Sequence, residues 1–136
     1  MNRLWLPVIL ILFLSSCKKT KEKVAEDLIV KAMTDGQWKV TSFIDNSTDI
    51  TTDYSVYTFQ FYSNKTVDAI KNSAKEFTGN WNGNASDLTI TSTFTGAAYP
   101  IDLLNGTWKI TDNGWTYVEA KKQVGADLKT LRLDKL

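Results

Sequence analysis

Ser55-Val56-Tyr57-Thr58-Phe59-Gln60-Phe61-Tyr62-Ser63-Asn64-Lys65-Thr66-Val67-Asp68-Ala69-Ile70 decides the architecture. From Ser55 to Tyr62 the aromatic residues Tyr57, Phe59 and Phe61 alternate with their neighbours at period two, the mark of a strand with one buried face. Ser63-Asn64-Lys65 supplies a tight turn, and Thr66 to Ile70 resumes the extended texture, so the two strands are hairpin neighbours. The same rhythm extends outward in both directions. Gly36 to Ile44 places Trp38, Val40 and Ile44 on one face. Glu76 to Trp81 is followed by Asn82-Gly83, a dipeptide that predicts a hairpin turn. Asp87 to Phe94 sets Leu88, Ile90 and Phe94 against polar partners. Gly106 to Thr111, a turn at Asn113-Gly114, and Trp115 to Lys121 follow. Leu128 to Lys135 closes the series with Leu131 and Leu133.

Eight strands joined mostly by connections too short for parallel crossovers must meander antiparallel. Closing into a barrel buries one apolar face per strand and removes both edges. An immunoglobulin-like sandwich is the competitor, but its cysteine and tryptophan framework has no counterpart here. Before the first strand, Val24, Leu28, Ile29, Ala32 and Met33 recur at helical spacing, and Asp35-Gly36 supplies a stop. The expectation is an all-β fold over residues 24–136: an eight-stranded antiparallel up-and-down barrel preceded by one short N-terminal helix.

The N-terminus reads differently. Met1-Asn2-Arg3 leads into an unbroken apolar run from Leu4 to Leu14. That is a signal-peptide core, too short for a transmembrane helix of about 20 apolar residues. Leu14-Ser15-Ser16-Cys17 resembles the lipobox of bacterial lipoprotein precursors. The resemblance implies cleavage after residue 16 and lipid attachment at Cys17, so that the protein partners a membrane through its acyl chains. Two or more such chains hold a protein stably, where one does not. The competing reading is a plain secretory signal with an ordinary thiol at Cys17.

Cys17 is the single cysteine, so once lipidated it leaves a folded part without disulfides. Residues 17–23 form a basic linker carrying Lys18, Lys19, Lys21 and Lys23; a solvated linker is preferred over contact with anionic headgroups. Lysine rather than aspartate follows the cysteine, which by the same resemblance implies an outer-membrane lipoprotein, on its periplasmic or outward side. Basic and acidic residues are nearly balanced at 16 and 15, so no global field favours nucleic acid.

Gly-x-Trp occurs three times, as Gly36-Gln37-Trp38, Gly79-Asn80-Trp81 and Gly106-Thr107-Trp108. A glycine lets backbones approach, and the tryptophan two residues on fills the same face; that reading is preferred over ligand stacking. The first of these, with Thr58-Phe59-Gln60-Phe61, Gly79-Asn80-Trp81 and Leu104-Asn105-Gly106-Thr107-Trp108, resembles the short lipocalin-like lipoproteins of bacteria, over roughly Gly36 to Leu136. The resemblance implies a barrel floor built on Gly36 and Trp38, with a last-strand arginine stacked on the tryptophan. Arg132 is the candidate, through a cation–π contact; a solvated strand position is the alternative.

Histidine is absent, which removes the commonest general base and imidazole metal ligand. Asp45, Asp49 and Asp53 lie in a polar loop and fail the alternate-position spacing of a calcium loop. No catalytic residue, metal site or cofactor is expected. The leading expectation is a binding protein holding a small apolar or amphipathic ligand, with Tyr57, Phe94 and Tyr99 as rim candidates. The other is a barrel filled by its own side chains that works through its surface, as an interaction module or enzyme inhibitor. Oligomeric state is not legible.

Overall fold

The structure is a computed structural model that describes residue 21 and residues 23–136. The expected signal segment 1–16, Cys17 and the Lys18-Lys19 pair lie outside the described residues. A helix, α1, reaches residue 34 and already includes Lys21 and Lys23, so the expected linker and the helix overlap.

Nine strands follow: β1 (Trp38–Asp45), β2 (Thr48–Asp49), β3 (Tyr57–Phe61), β4 (Thr66–Lys71), β5 (Ala74–Asn84), β6 (Thr89–Thr93), β7 (Gly106–Asn113), β8 (Tyr117–Val124) and β9 (Asp127–Lys135). β2 is a two-residue return of the β1 hairpin. The other eight are the expected strands, each antiparallel to its neighbours. The barrel closes because β1 pairs with β9 along nearly its whole length, from Trp38 opposite Lys135 to Asp45 opposite Lys129. Against β3, by contrast, β1 is in register at one pair, Trp38 with Phe59.

Three local expectations are corrected. Ile44 does not share the inner face with Trp38 and Val40. A bulge between Val40 and Ser42 shifts the register, and the one-residue slip turns Phe43 inward, where it is fully buried. Asn82-Gly83 is not a turn: β5 runs through it to Asn84, paired with Thr91 and Ile90 of β6. A Cβ on Gly83 would stand 2.8 Å from Ile29 Cγ2, so this glycine is where α1 rests against the sheet. The β4–β5 hairpin instead turns at Asn72-Ser73, both at positive φ (+49° and +70°), the geometry that matches strand twist in two-residue loops. Leu88, expected inside, lies in the β5–β6 turn at φ +53° and is half exposed.

The core is aromatic. Phe43 stacks on Tyr54 at 5.1 Å and meets Trp108 edge-on at 5.8 Å, while Phe61 meets Trp81 edge-on at 5.4 Å. All three Gly-x-Trp tryptophans are buried. At Gly79 an added Cβ would lie 2.5 Å from the Thr93 carbonyl oxygen and 2.8 Å from Phe94. There the glycine is required by close approach of β5 and β6.

Candidate functional site

The barrel offers three places for chemistry: its interior and its two ends. The interior holds a largely apolar void of about 50 Å³, walled by Phe59, Phe61, Phe94, Trp108, Ala120 and their neighbours, with Ser92 the one polar side chain on its lining. Ligand sites are typically about 300 Å³ or more. A void this small has no room for a guest, and Ser92 already donates its hydroxyl to the Leu104 carbonyl.

One end is stoppered by two short 3-10 helices, Thr51–Tyr54 and Ile101–Leu104. Tyr54 is completely buried and donates its hydroxyl to the Pro100 carbonyl at 2.8 Å. Trp108 Nε1 donates to the Leu104 carbonyl at 2.9 Å. Ile101 and Leu104 are thereby pinned across the opening. Two lysines reach into this end. Lys122 lies 5.0 Å over the Trp108 ring and donates to the Asn105 and Leu103 carbonyls; burial pulls its pKa below the ordinary lysine value. Lys129 is buried and pairs with Asp127 at 2.6 Å and Asp45 at 3.3 Å. The Asp127 hydrogen bond outweighs burial and holds its pKa up. Lys129 is paired with carboxylates and Lys122 is held by backbone carbonyls, so the two lysines tie the stopper to the barrel wall.

The opposite end is covered by α1. Met33 is buried in the barrel mouth, and its carbonyl accepts Trp38 Nε1 at 2.9 Å. The helix ends at Gly36, whose φ of +80° suits glycine. Trp38 is fully buried, and the cation over its ring is Lys135 Nζ at 5.2 Å. Arg132 does not reach it. Along β9 the side chains of Lys129, Leu131, Leu133 and Lys135 share the inner face, and alternation sends Arg132 outside. There it binds Glu119 at 2.7 Å and Asp134 at 2.9 Å and lies 4.6 Å over the Tyr117 ring.

The three rim candidates are not brought together around an opening. Tyr57 is buried on Phe59 with its hydroxyl on Glu76 at 2.9 Å; burial, then that bond, push its pKa up to about 12. Phe94 is a wall of the void. Tyr99 is exposed, with its hydroxyl on Asp53. Of the three loop carboxylates, Asp49 accepts from Thr51, Asp53 from Tyr99, and Asp45 faces Lys129. Among the described residues no group of three or more acidic, cysteine or histidine side chains could hold a metal.

One feature was missed in the sequence. Beside α1, a groove of about 440 Å³ runs between the helix and the tips of two hairpins, lined by Ala25, Leu28, Ile29, Ala32, Ala85, Leu88, Ile110 and Trp115. Trp115 is 58% exposed, Leu88 50%, and Leu28 46%. Period two placed Trp115 and Leu88 on strands, yet both stand at turns. Large apolar residues at turn positions were the available signal.

No family model matches the chain, and no curated protein does. Among solved structures, the crystal structure of a DUF4847 family protein from Bacteroides vulgatus ATCC 8482 is similar, with a TM-score of 0.56 at 12% identity. The match covers 78% of this chain and 96% of that one. At that identity the likeness concerns the fold alone. No helix among the described residues is long and apolar enough to cross a membrane.

Proposed function

We propose that this chain is a lipid-anchored protein of the bacterial outer membrane, tethered through Cys17, whose barrel is a non-enzymatic binding module acting through its outer surface. The observation that carries the surface-acting half is the interior: about 50 Å³ of void inside a barrel closed at both ends. A carrier needs several times that volume. The aromatic residues that a ligand would stack on are spent on one another. The anchoring half is supported by the lipobox Leu14-Ser15-Ser16-Cys17 behind its apolar run.

Two measurements test the reading. Native mass spectrometry and solvent extraction of the full chain, after contact with envelope extract, should recover no stoichiometric small molecule beyond lipid covalently bound to Cys17. A recovered guest would restore the carrier. Separately, Cys17→Ser should abolish the lipid-modified N-terminal peptide; N-terminal masses that differ between the two proteins by the substitution alone would refute the anchor.

A further inference from the structure

The groove beside α1 lies on the surface from which the chain leaves toward its tether. From Cys17 to Lys21 the backbone can span at most about 14 Å, at roughly 3.6 Å per residue. On the tethered reading, this holds the start of α1 within that distance of the bilayer surface. The surface so presented is apolar. Val24 (52% exposed) and Leu28 stand one turn apart on α1, and Leu88 and Trp115, from two hairpin tips, line the groove with Leu28.

Charge on α1 agrees with that placement, while the hairpin tips add the exposed acids Asp87 and Asp112. Lys21 and Lys31 stand three residues from Val24 and Leu28 respectively, flanking the stripe, and both are exposed. Lys18 and Lys19 sit next to the anchor in the sequence. By the 3.6-residue period, Glu26 and Asp27 fall on flanks away from the groove-lining Ala25, Leu28 and Ala32. Tryptophan at the tip of an apolar patch with lysines at its border suits a headgroup boundary, which takes an amphipathic ring and solvates ammonium groups.

We infer that this end of the barrel docks on the surface of the same bilayer that holds the anchor, with Val24, Leu28, Leu88 and Trp115 seated at the headgroup level and lysines on anionic lipid. The inference rests on the tethered reading proposed above. Tethering makes the contact intramolecular, so a patch of four side chains suffices without independent affinity. Docking also fixes orientation: the stoppered end, with Tyr99 at its surface, points away from the lipid.

Trp115 is its own reporter, because Trp38, Trp81 and Trp108 are at most 3% exposed. The lipidated mature product, beginning at Cys17 and so without Trp5, is reconstituted in vesicles of zwitterionic and anionic lipid whose acyl chains are brominated near the headgroup. Bromolipid should quench about a quarter of the tryptophan emission, one residue in four if yields are equal. Trp115→Ala should abolish that fraction, and Leu88→Asp should reduce it at least twofold. Mass spectrometry of the N-terminal peptide reads the tether independently. Unmodified Cys17 overturns the tethered reading; an unquenched Trp115 on a chain carrying its lipid overturns the docking alone. Photo-crosslinking from position 115 into a protein rather than lipid overturns it as well.

Discussion

Ala120→Val is the sharpest test of the small void inside the barrel. Ala120 is 6% exposed on β8 and forms part of the wall of the internal void. A residual cavity costs about 24 cal/mol per Å³, so about 50 Å³ costs about 1.2 kcal/mol. Valine adds two methyl groups, with transfer worth about 0.8 kcal/mol each, and it suits a strand better than alanine. The void caps the gain, so the variant should be more stable by about 1 kcal/mol. In urea the midpoint should rise by about 0.5 M at unchanged slope, and the melting temperature by roughly 4 °C. A loss of about 1 kcal/mol or more would refute the reasoning, because it would mean that the wall at Ala120 has no slack. Ala120→Phe overfills the same space and should destabilise.

Gly79→Ala adds one methyl group where the structure has no space, 2.5 Å from the Thr93 carbonyl oxygen; it should cost about 1–3 kcal/mol, and a neutral urea midpoint would show that β5 and β6 do not approach so closely. Tyr54→Phe removes the bond to Pro100 and should cost about 1 kcal/mol; an unchanged midpoint would mean that this bond does not hold the stopper. Asp68 supplies a pH dependence. Burial alone would raise its pKa, but hydrogen bonds from Thr78, Tyr62 and Lys75 outweigh that and hold it below the ordinary value. Its contribution to stability is therefore complete above about pH 4 and is lost as pH falls through the lower folded value. Asp68→Asn should flatten the acid limb of stability, and an identical limb in the variant would exclude this carboxylate as its source.

All eight barrel strands were legible in the sequence, because a half-buried strand writes its two faces directly as alternating residues. The exceptions are instructive. The Val40–Ser42 bulge inserts a residue that period two does not record, so Phe43 and Ile44 exchanged faces. Asn82-Gly83 has the chemistry of a turn, but the need of α1 for a flat seat at Gly83 outranked it. Arg132 was expected on Trp38 by family likeness, whereas strand parity gave that place to Lys135. The size of the interior was legible only in part: a barrel filled by its own side chains was one of two readings, since alternation says which side chains point inward and not how completely they fill the space. The groove escaped for a related reason: Leu28, Leu88 and Trp115 are far apart in sequence, and only the fold brings them side by side.

The pairing of β1 with β9 ties Thr41 to Asp134, 93 residues away. Hairpins such as β3–β4 close short loops, whereas so distant a pairing must close nearly the whole barrel domain and carries the larger loop-closure cost. Until β9 has emerged from whatever machinery makes or exports it, the ribbon stays unlatched, with two bare edges open to other chains. Loss of the β9 latch should therefore be felt first as misassembly during biogenesis, before any weakening of the finished protein.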